Sequence, residues 1–109
     1  MMSNMEVAWA FSQTADLMEI AGEDVFKSRA YRQAAREIAS LDEDLGEIFF
    51  RGRLRDIPGI GKELERKIGE MLTTGSFSAY DRLREKVPPS LTAMLDIPGL
   101  GAKSVRLIY

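Results

Sequence analysis

The feature that most constrains this sequence is a short phrase that occurs twice. The stretch Ile57-Pro58-Gly59-Ile60-Gly61-Lys62 returns as Ile97-Pro98-Gly99-Leu100-Gly101-Ala102-Lys103, and a helical pattern follows each copy. Two glycines one residue apart at the start of a helix leave backbone N–H groups uncovered, because glycine has no Cβ. Such N–H groups lie at the positive end of the helix dipole and bind phosphate. The repeat therefore predicts two phosphate-binding turns.

This pattern is typical of helix-hairpin-helix units, which hold a nucleic-acid backbone without reading its sequence. The apolar residue between the glycines is expected to point inward and fix the turn. We expect the DNA contacts of the two units to come from Gly59, Ile60, Gly61 and Lys62, and from Gly99, Leu100, Gly101 and Lys103.

The composition excludes several kinds of chemistry. The chain contains no cysteine and no histidine, so it has no disulfide, no thiolate zinc site, no cysteine nucleophile and no imidazole base. Any nucleophile must then be a lysine, a hydroxyl or a carboxylate. No apolar stretch approaches the roughly 20 residues of a membrane span. The N-terminus lacks the features of a signal peptide. We expect a cytoplasmic, monomeric protein without membrane contact.

The net charge of −2 argues against strong DNA binding, but the charges are unevenly distributed. Residues 1–22 carry three acids and no base, whereas residues 57–109, which hold both repeats, carry eight bases against six acids. We therefore expect local, modest binding that salt weakens.

The remaining sequence predicts short helices, because its apolar residues recur at helical spacing and no stretch alternates as a strand would. We expect an all-α fold, a small helical bundle that contains two helix-hairpin-helix motifs. Trp9 and Phe11 are both expected in the core. The first helix is predicted to end before Gly22, and the second to run from Val25 to Ala39 with Asp24 as its N-cap. The third is predicted to open with a capping box from Ser40 to Glu43 and to end before Gly52. The fourth is predicted from Lys62 to Thr73 and the fifth from Ser76 to Lys86.

We expect two segments. Residues 1–75 form a four-helix DNA-binding domain with the first hairpin, and residues 76–109 hold the second. The sequence stops at Tyr109, about two turns into its last helix. Because so short a helix is marginal alone, we expect the chain to be the front piece of a longer protein.

Lys67 occupies an unusual place on the fourth helix. It lies at the margin of the stripe formed by Leu64, Ile68 and Met71. A lysine partly removed from water gives up its proton more readily, as a Schiff-base nucleophile must. The alternative is a lysine whose stem merely covers apolar surface while its head stays in water.

The second helix shows a related pattern. Lys27 falls on the apolar side, one turn before Tyr31, and the pair could hold a phosphate. The alternative is again a surface lysine beside a half-buried tyrosine. The row Arg29, Arg32 and Arg36 on the opposite face is interpreted as a solvated face.

Several segments together resemble the amino-terminal region of family X DNA polymerases, above all the bacterial members. The similarity runs from about Asn4 to Tyr109. It rests on Phe26-Lys27-Ser28-Arg29-Ala30-Tyr31-Arg32-Gln33-Ala34-Ala35, Gly52-Arg53-Leu54-Arg55-Asp56, both hairpins, and Leu72-Thr73-Thr74-Gly75.

The resemblance implies roles for several residues. It implies that Lys27 and Tyr31 bind the 5′-phosphate side of a DNA gap. It also implies that Lys67 is the Schiff-base lysine with which some members remove 5′-deoxyribose phosphate. A supporting lysine of the family is Glu63 here and a further basic position is Ala79, so we expect a weaker phosphate pocket.

The resemblance further implies a monovalent cation, Na⁺ or K⁺, in each hairpin. The ligands would be main-chain carbonyls at Ile57 and Ile60, and at Ile97 and Leu100. Mg²⁺ is expected only in a parent polymerase.

Three functions follow as alternatives. The first is a DNA-binding module of a repair polymerase, acting at gapped, nicked or 5′-phosphate ends, as in base excision repair. The second is a deoxyribose-phosphate or abasic-site lyase. The third is a protein-docking scaffold, which the negative net charge permits. Salt-dependent DNA binding separates the first two from the third, and covalent trapping separates the second from the first.

Overall fold

The computed structural model describes residues 2–86 and contains five α-helices and no strand in that range. The helices are α1 (Asn4–Ala21), α2 (Val25–Ala39), α3 (Leu45–Phe50), α4 (Lys62–Thr74) and α5 (Ser78–Lys86), with a 3-10 turn at Leu54–Asp56. Helix α1 packs along α2 and also contacts α5. The predicted all-α bundle is confirmed for this part of the chain.

Local capping chemistry sets most of the helix ends. Ser3 and Glu6 form a capping box at the start of α1, and Asp24 accepts a hydrogen bond from the Phe26 N–H at the start of α2. Gly22 ends α1 with a φ of 76° and Gly75 ends α4 with a φ of 75°, a left-handed conformation that favours glycine. The predicted boundaries at Gly22, at Asp24 and at the end of α4 are confirmed, whereas the capping box at Ser3 was not predicted.

The predicted capping box at Ser40 is wrong. Ser40 instead ends α2, and its hydroxyl donates to the Glu37 carbonyl at 3.1 Å. Helix α3 begins only at Leu45, and Asp44 before it makes no side-chain cap. The cap comes from α1. The Asn4 side-chain oxygen accepts from the Leu45 N–H at 2.8 Å, and the Asn4 amide donates to the Glu43 carbonyl at 2.8 Å.

Replacing Asn4 by alanine should therefore lower stability. Both hydrogen bonds join α1 to the start of α3, and their loss leaves a partly buried N–H without a partner. We expect Asn4→Ala to reduce the free energy of unfolding by about 1–2 kcal/mol, measured by urea denaturation. Asn4→Asp keeps the acceptor for Leu45 and should lose less. Equal stability of Asn4→Ala and the parent would contradict this role.

The core lies where α1, α2, α4 and α5 meet. Phe11, Ile38, Ile68 and Leu83 are fully buried there, one from each of these helices. The ring of Phe11 packs edge-on against Tyr31 and Phe77, with centroids 5.3 and 5.5 Å apart. The proposed division at residue 75 stays a prediction, although Phe77 and Leu83 beyond it join the same core.

The prediction that Trp9 lies in the core is wrong. Phe11 is buried as predicted, but Trp9 is 57% exposed, because two residues along a helix turn the side chain to the opposite face. Its ring lies 6.1 Å from that of Tyr80 on α5. Together with Met2, Met5 and Phe77 they line a groove of about 490 Å³ between α1 and α5.

No helix within residues 2–86 combines the length and the apolar character that crossing a membrane requires.

Candidate nucleic-acid interface

The first repeated phrase forms a tight turn. The Ile60 N–H donates to the Ile57 carbonyl at 3.1 Å. Pro58 occupies the second position and Gly59, with a φ of +84°, the third. This is the residue order that a type II turn requires, because only glycine takes such a φ without strain.

The turn is fixed to the core from one side and open on the other. Ile60, the apolar residue between the glycines, is buried as predicted, and Ile57 is buried as well. Gly59 and Gly61 are exposed. A Cβ added at Gly61 would meet no atom within 4 Å, so a ligand can approach the backbone closely at this position.

Helix α4 begins directly after the turn with unsatisfied donors. Gly61 is its N-cap in an extended conformation, and no side chain caps the helix. The first intrahelical bond runs from the Glu65 N–H to the Gly61 carbonyl at 2.9 Å. The N–H groups of Lys62, Glu63 and Leu64 therefore lack an intrahelical acceptor and point out of the helix start. These donors match the predicted phosphate-binding turn.

The charges around the turn are mixed. Lys62 and Arg66 are exposed on α4. Glu65 lies 3.6 Å from the Arg55 guanidinium, and Asp56 lies 2.9 Å from that of Arg53. The hydrogen bond to Asp56 raises the pKa of Arg53 above its ordinary value. Arginine partners thus offset two of the acids beside the turn.

Lys67 lies where the sequence places it, half-buried at the margin of the apolar stripe of α4. Its Nζ is 6.0 Å from the ring centre of Tyr31 and 5.8 Å from that of Phe77. The structure therefore brings Lys67 and Tyr31 together, although their roles in catalysis and phosphate binding stay predictions.

Lys27 is exposed, whereas the sequence predicted a lysine on the apolar side of α2. The first turn of α2 is uncovered, and Val25, Phe26 and Lys27 are all exposed there. Tyr31, one turn later, is buried and only 5% exposed, more than the half-burial that the pattern suggested. Lys27 is therefore accessible to a phosphate in solution, whereas Tyr31 is almost completely covered.

Because Tyr31 is buried, the stability of the fold is expected to depend on pH. Burial, with a smaller contribution from the negative charge of Glu63, raises the pKa of Tyr31 from its ordinary value of 10.0 to about 12. The folded protein thus holds this proton more tightly than the unfolded chain. The free energy of unfolding should fall as the pH rises from about 10 to about 12. Urea denaturation across this range tests it, and Tyr31→Phe should flatten the fall. An equal fall in the variant would contradict the assignment.

Two side chains on α2 were missed by sequence reasoning. Gln33 lies directly on the hairpin, since a Cβ built at Gly59 would be 3.1 Å from its Cδ and Nε2 atoms. Phe26 exposes 74% of its surface beside Lys27. The sequence alone shows that an aromatic residue, Phe26, adjoins a cationic one, Lys27. The contact of Gln33 with the hairpin, in contrast, depends on the fold.

The second hairpin, with Ile97, Gly99, Leu100, Gly101 and Lys103, lies outside the described residues.

The carbonyls proposed for a monovalent cation can be examined only in the first hairpin. The Ile57 carbonyl accepts the Ile60 N–H and keeps a second lone pair, and the cation itself stays a prediction. Within residues 2–86 no group of three or more acidic, histidine or cysteine side chains could hold a metal ion.

The first hairpin is a turn with two buried isoleucines, and it leads into a helix whose first N–H groups are free. Such a turn in a small all-α bundle is typical of helix-hairpin-helix domains. The chain belongs to this family, since the family model described as "Helix-hairpin-helix domain" matches residues 2–77. A curated relative is the DNA polymerase/3′-5′ exonuclease PolX of Bacillus subtilis (strain 168), which is 34% identical over 92 residues. The match covers 84% of this chain but only 16% of that relative. The resemblance to the helix-hairpin-helix region of a family X polymerase is thereby confirmed.

Proposed function

We propose that this domain binds the sugar-phosphate backbone of DNA without reading its sequence, at gaps, nicks or 5′-phosphate ends, as a module of a family X repair polymerase. The observation that carries the proposal is the start of α4. The N–H groups of Lys62, Glu63 and Leu64 lack partners there, and no atom would meet a Cβ at the adjoining Gly61. Such donors at the positive end of a helix attract phosphate. The relative from Bacillus subtilis is a DNA polymerase and exonuclease, which supports DNA as the ligand.

Cationic side chains supply the rest of the attraction. Lys62 and Arg66 on α4 and Lys27 on α2 are exposed. The net charge of −2 limits non-specific attraction by the whole protein. The binding should therefore be modest and depend on this local surface.

Binding isotherms test the proposal. The full chain is titrated with duplexes of two unrelated sequences, each intact, nicked or carrying a short gap with a 5′-phosphate, at several salt concentrations. We expect equal affinity for both sequences, tighter binding to the interrupted duplexes, and a logarithm of the binding constant that falls linearly with the logarithm of salt. Binding that is absent, or that salt does not weaken, would contradict the proposal.

A second candidate function is a deoxyribose-phosphate lyase that acts through Lys67. The half-buried Lys67, whose Nζ lies 6.0 Å from the ring centre of Tyr31 and 5.8 Å from that of Phe77, favours it. Borohydride trapping of an imine between the lysine and the sugar tests this function directly.

The remaining predictions belong to the same proposal. A Na⁺ or K⁺ ion held by the Ile57 and Ile60 carbonyls would add positive charge at the turn. A second ion held by the Ile97 and Leu100 carbonyls would do the same in the second hairpin. Mg²⁺ would serve only polymerase carboxylates outside this chain. We expect the domain to act as a monomer in the cytoplasm.

A further inference from the structure

The contact between Gln33 and the hairpin brings one face of α2 beside the phosphate-binding turn. The Cδ and Nε2 atoms of Gln33 lie 3.1 Å from the position that a Cβ at Gly59 would occupy. The turn and the middle of α2 therefore form one continuous surface at this point.

Helical periodicity decides which other side chains share that surface. Residues three, four and seven positions from Gln33 lie on the same face of α2. They include Arg36, Arg29 and Phe26, which are all exposed. Arg29 and Arg36 flank Gln33 on either side, and the rise of an α-helix separates them by about 10 Å along the axis.

The three arginines of α2 differ in their surroundings. Arg32 lies beside Arg29 and Arg36 along the helix, but its side chain reaches towards α1, 2.7 Å from Asp16 and 3.0 Å from Glu19. Arg29 and Arg36 have no carboxylate within 4.0 Å among residues 2–86. The interpretation of all three as one solvated row is therefore wrong, because Arg32 is an ion-paired residue of the bundle.

Glu37 is the acid nearest in sequence on this face, and it is partly buried. Arg29 and Arg36 present two exposed guanidinium groups that no carboxylate among residues 2–86 pairs. Because a guanidinium offers planar, paired donors that fit a phosphate, this charge suits the sugar-phosphate backbone of a nucleic acid.

We propose that Arg29, Gln33 and Arg36 form a second phosphate-binding surface that continues the hairpin and holds the same DNA strand on either side of the turn. One strand advances about 3.4 Å per phosphate along the axis of a duplex, so the two arginines span about three phosphates. The inference rests on the proposed DNA binding and adds a site on α2 to it.

The test measures the salt dependence of binding to gapped duplex for Arg29→Gln, Arg36→Gln and the double variant. Each lost phosphate contact should reduce the slope of log K against log salt by about 0.9, so the double variant should lose about 1.8. The matched control is Arg84→Gln, which removes the same charge from an exposed position on α5. It should leave the slope unchanged. Thermal unfolding of each variant verifies that the bundle is intact.

Three outcomes would overturn the inference. An unchanged slope in the double variant means that no phosphate is held on α2. An equal loss of slope in Arg84→Gln means that only the net charge matters. Failure of the parent chain to bind DNA removes the proposed function and this surface together. In contrast, normal binding by the parent with an unchanged double variant overturns the α2 surface alone.

Discussion

Gly61→Asp is expected to weaken DNA binding about tenfold or more while leaving the bundle at least as stable as before. An aspartate at the N-cap accepts hydrogen bonds from the first N–H groups of α4, which Gly61 leaves without a side-chain partner. Its charge also complements the helix dipole, so the free energy of unfolding should rise by a few tenths to about 1 kcal/mol. The same carboxylate occupies the place of a phosphate and repels it, and the loss of even one charge-assisted hydrogen bond is worth about 1.5–3 kcal/mol.

The opposite signs of the two effects make this variant informative. A variant that bound weakly because it was misfolded would also be less stable. Ser76→Asp provides the control, because it adds the same charge beyond the other end of α4, about 20 Å from the turn. We expect it to bind nearly as the parent does. If Gly61→Asp is more stable and still binds like the parent, the N–H groups of α4 do not hold phosphate.

Gly59 would be a less informative site for the same test. Its φ of +84° disfavours any other residue, and a side chain there would also collide with Gln33. Gly59→Val should weaken binding too, but through distortion of the whole turn.

Lys67→Ala should abolish any covalent adduct between the protein and an abasic sugar. In the proposed chemistry the Lys67 amine attacks the aldehyde carbon of the ring-opened sugar, and loss of water gives an imine. β-Elimination would then remove a proton from C2′ and break the C3′–O bond, which releases the DNA from the sugar. Borohydride reduces the imine before this step to a stable amine that keeps the DNA attached. With pre-incised abasic DNA and borohydride, the parent should give a shifted band on a denaturing gel and Lys67→Ala should give none.

The control for Lys67→Ala is Lys62→Ala, which removes an exposed lysine from the first turn of the same helix. It should weaken DNA binding and still form the adduct at saturating DNA. Absence of the adduct in the parent, or an unchanged adduct in Lys67→Ala, would leave a DNA-binding domain with no lyase function at this lysine. Glu63, exposed one turn before Lys67, is expected to keep the reaction slow, since it repels the 5′-phosphate.

The parts of this fold that sequence predicts are those that depend on neighbouring residues. Gly22 and Gly75 end helices because the required φ is local to each glycine. The hairpin is predictable for the same reason, since Pro58 and Gly59 determine their own turn. Lys67 was placed correctly because a helix as regular as α4 lets periodicity locate each side chain.

The parts that sequence reasoning missed depend on residues far apart in the chain. Asn4 caps α3 from 41 residues away, and nothing near Ser40 shows that the local capping box stays unused. The contact of Gln33 with Gly59 likewise arises only when α2 and the hairpin pack together. The exposure of Trp9 could have been predicted, because Phe11 already occupied the inward face of α1.

The position of Trp9 has a spectroscopic consequence. It is the only tryptophan of the 109 residues, and its ring lies against Tyr80 in the groove between α1 and α5. No residue of the hairpin turn lines that groove. Intrinsic fluorescence of the natural sequence therefore reports how α5 is seated on α1. A phosphate at the turn needs a reporter of its own, such as a dye on the DNA.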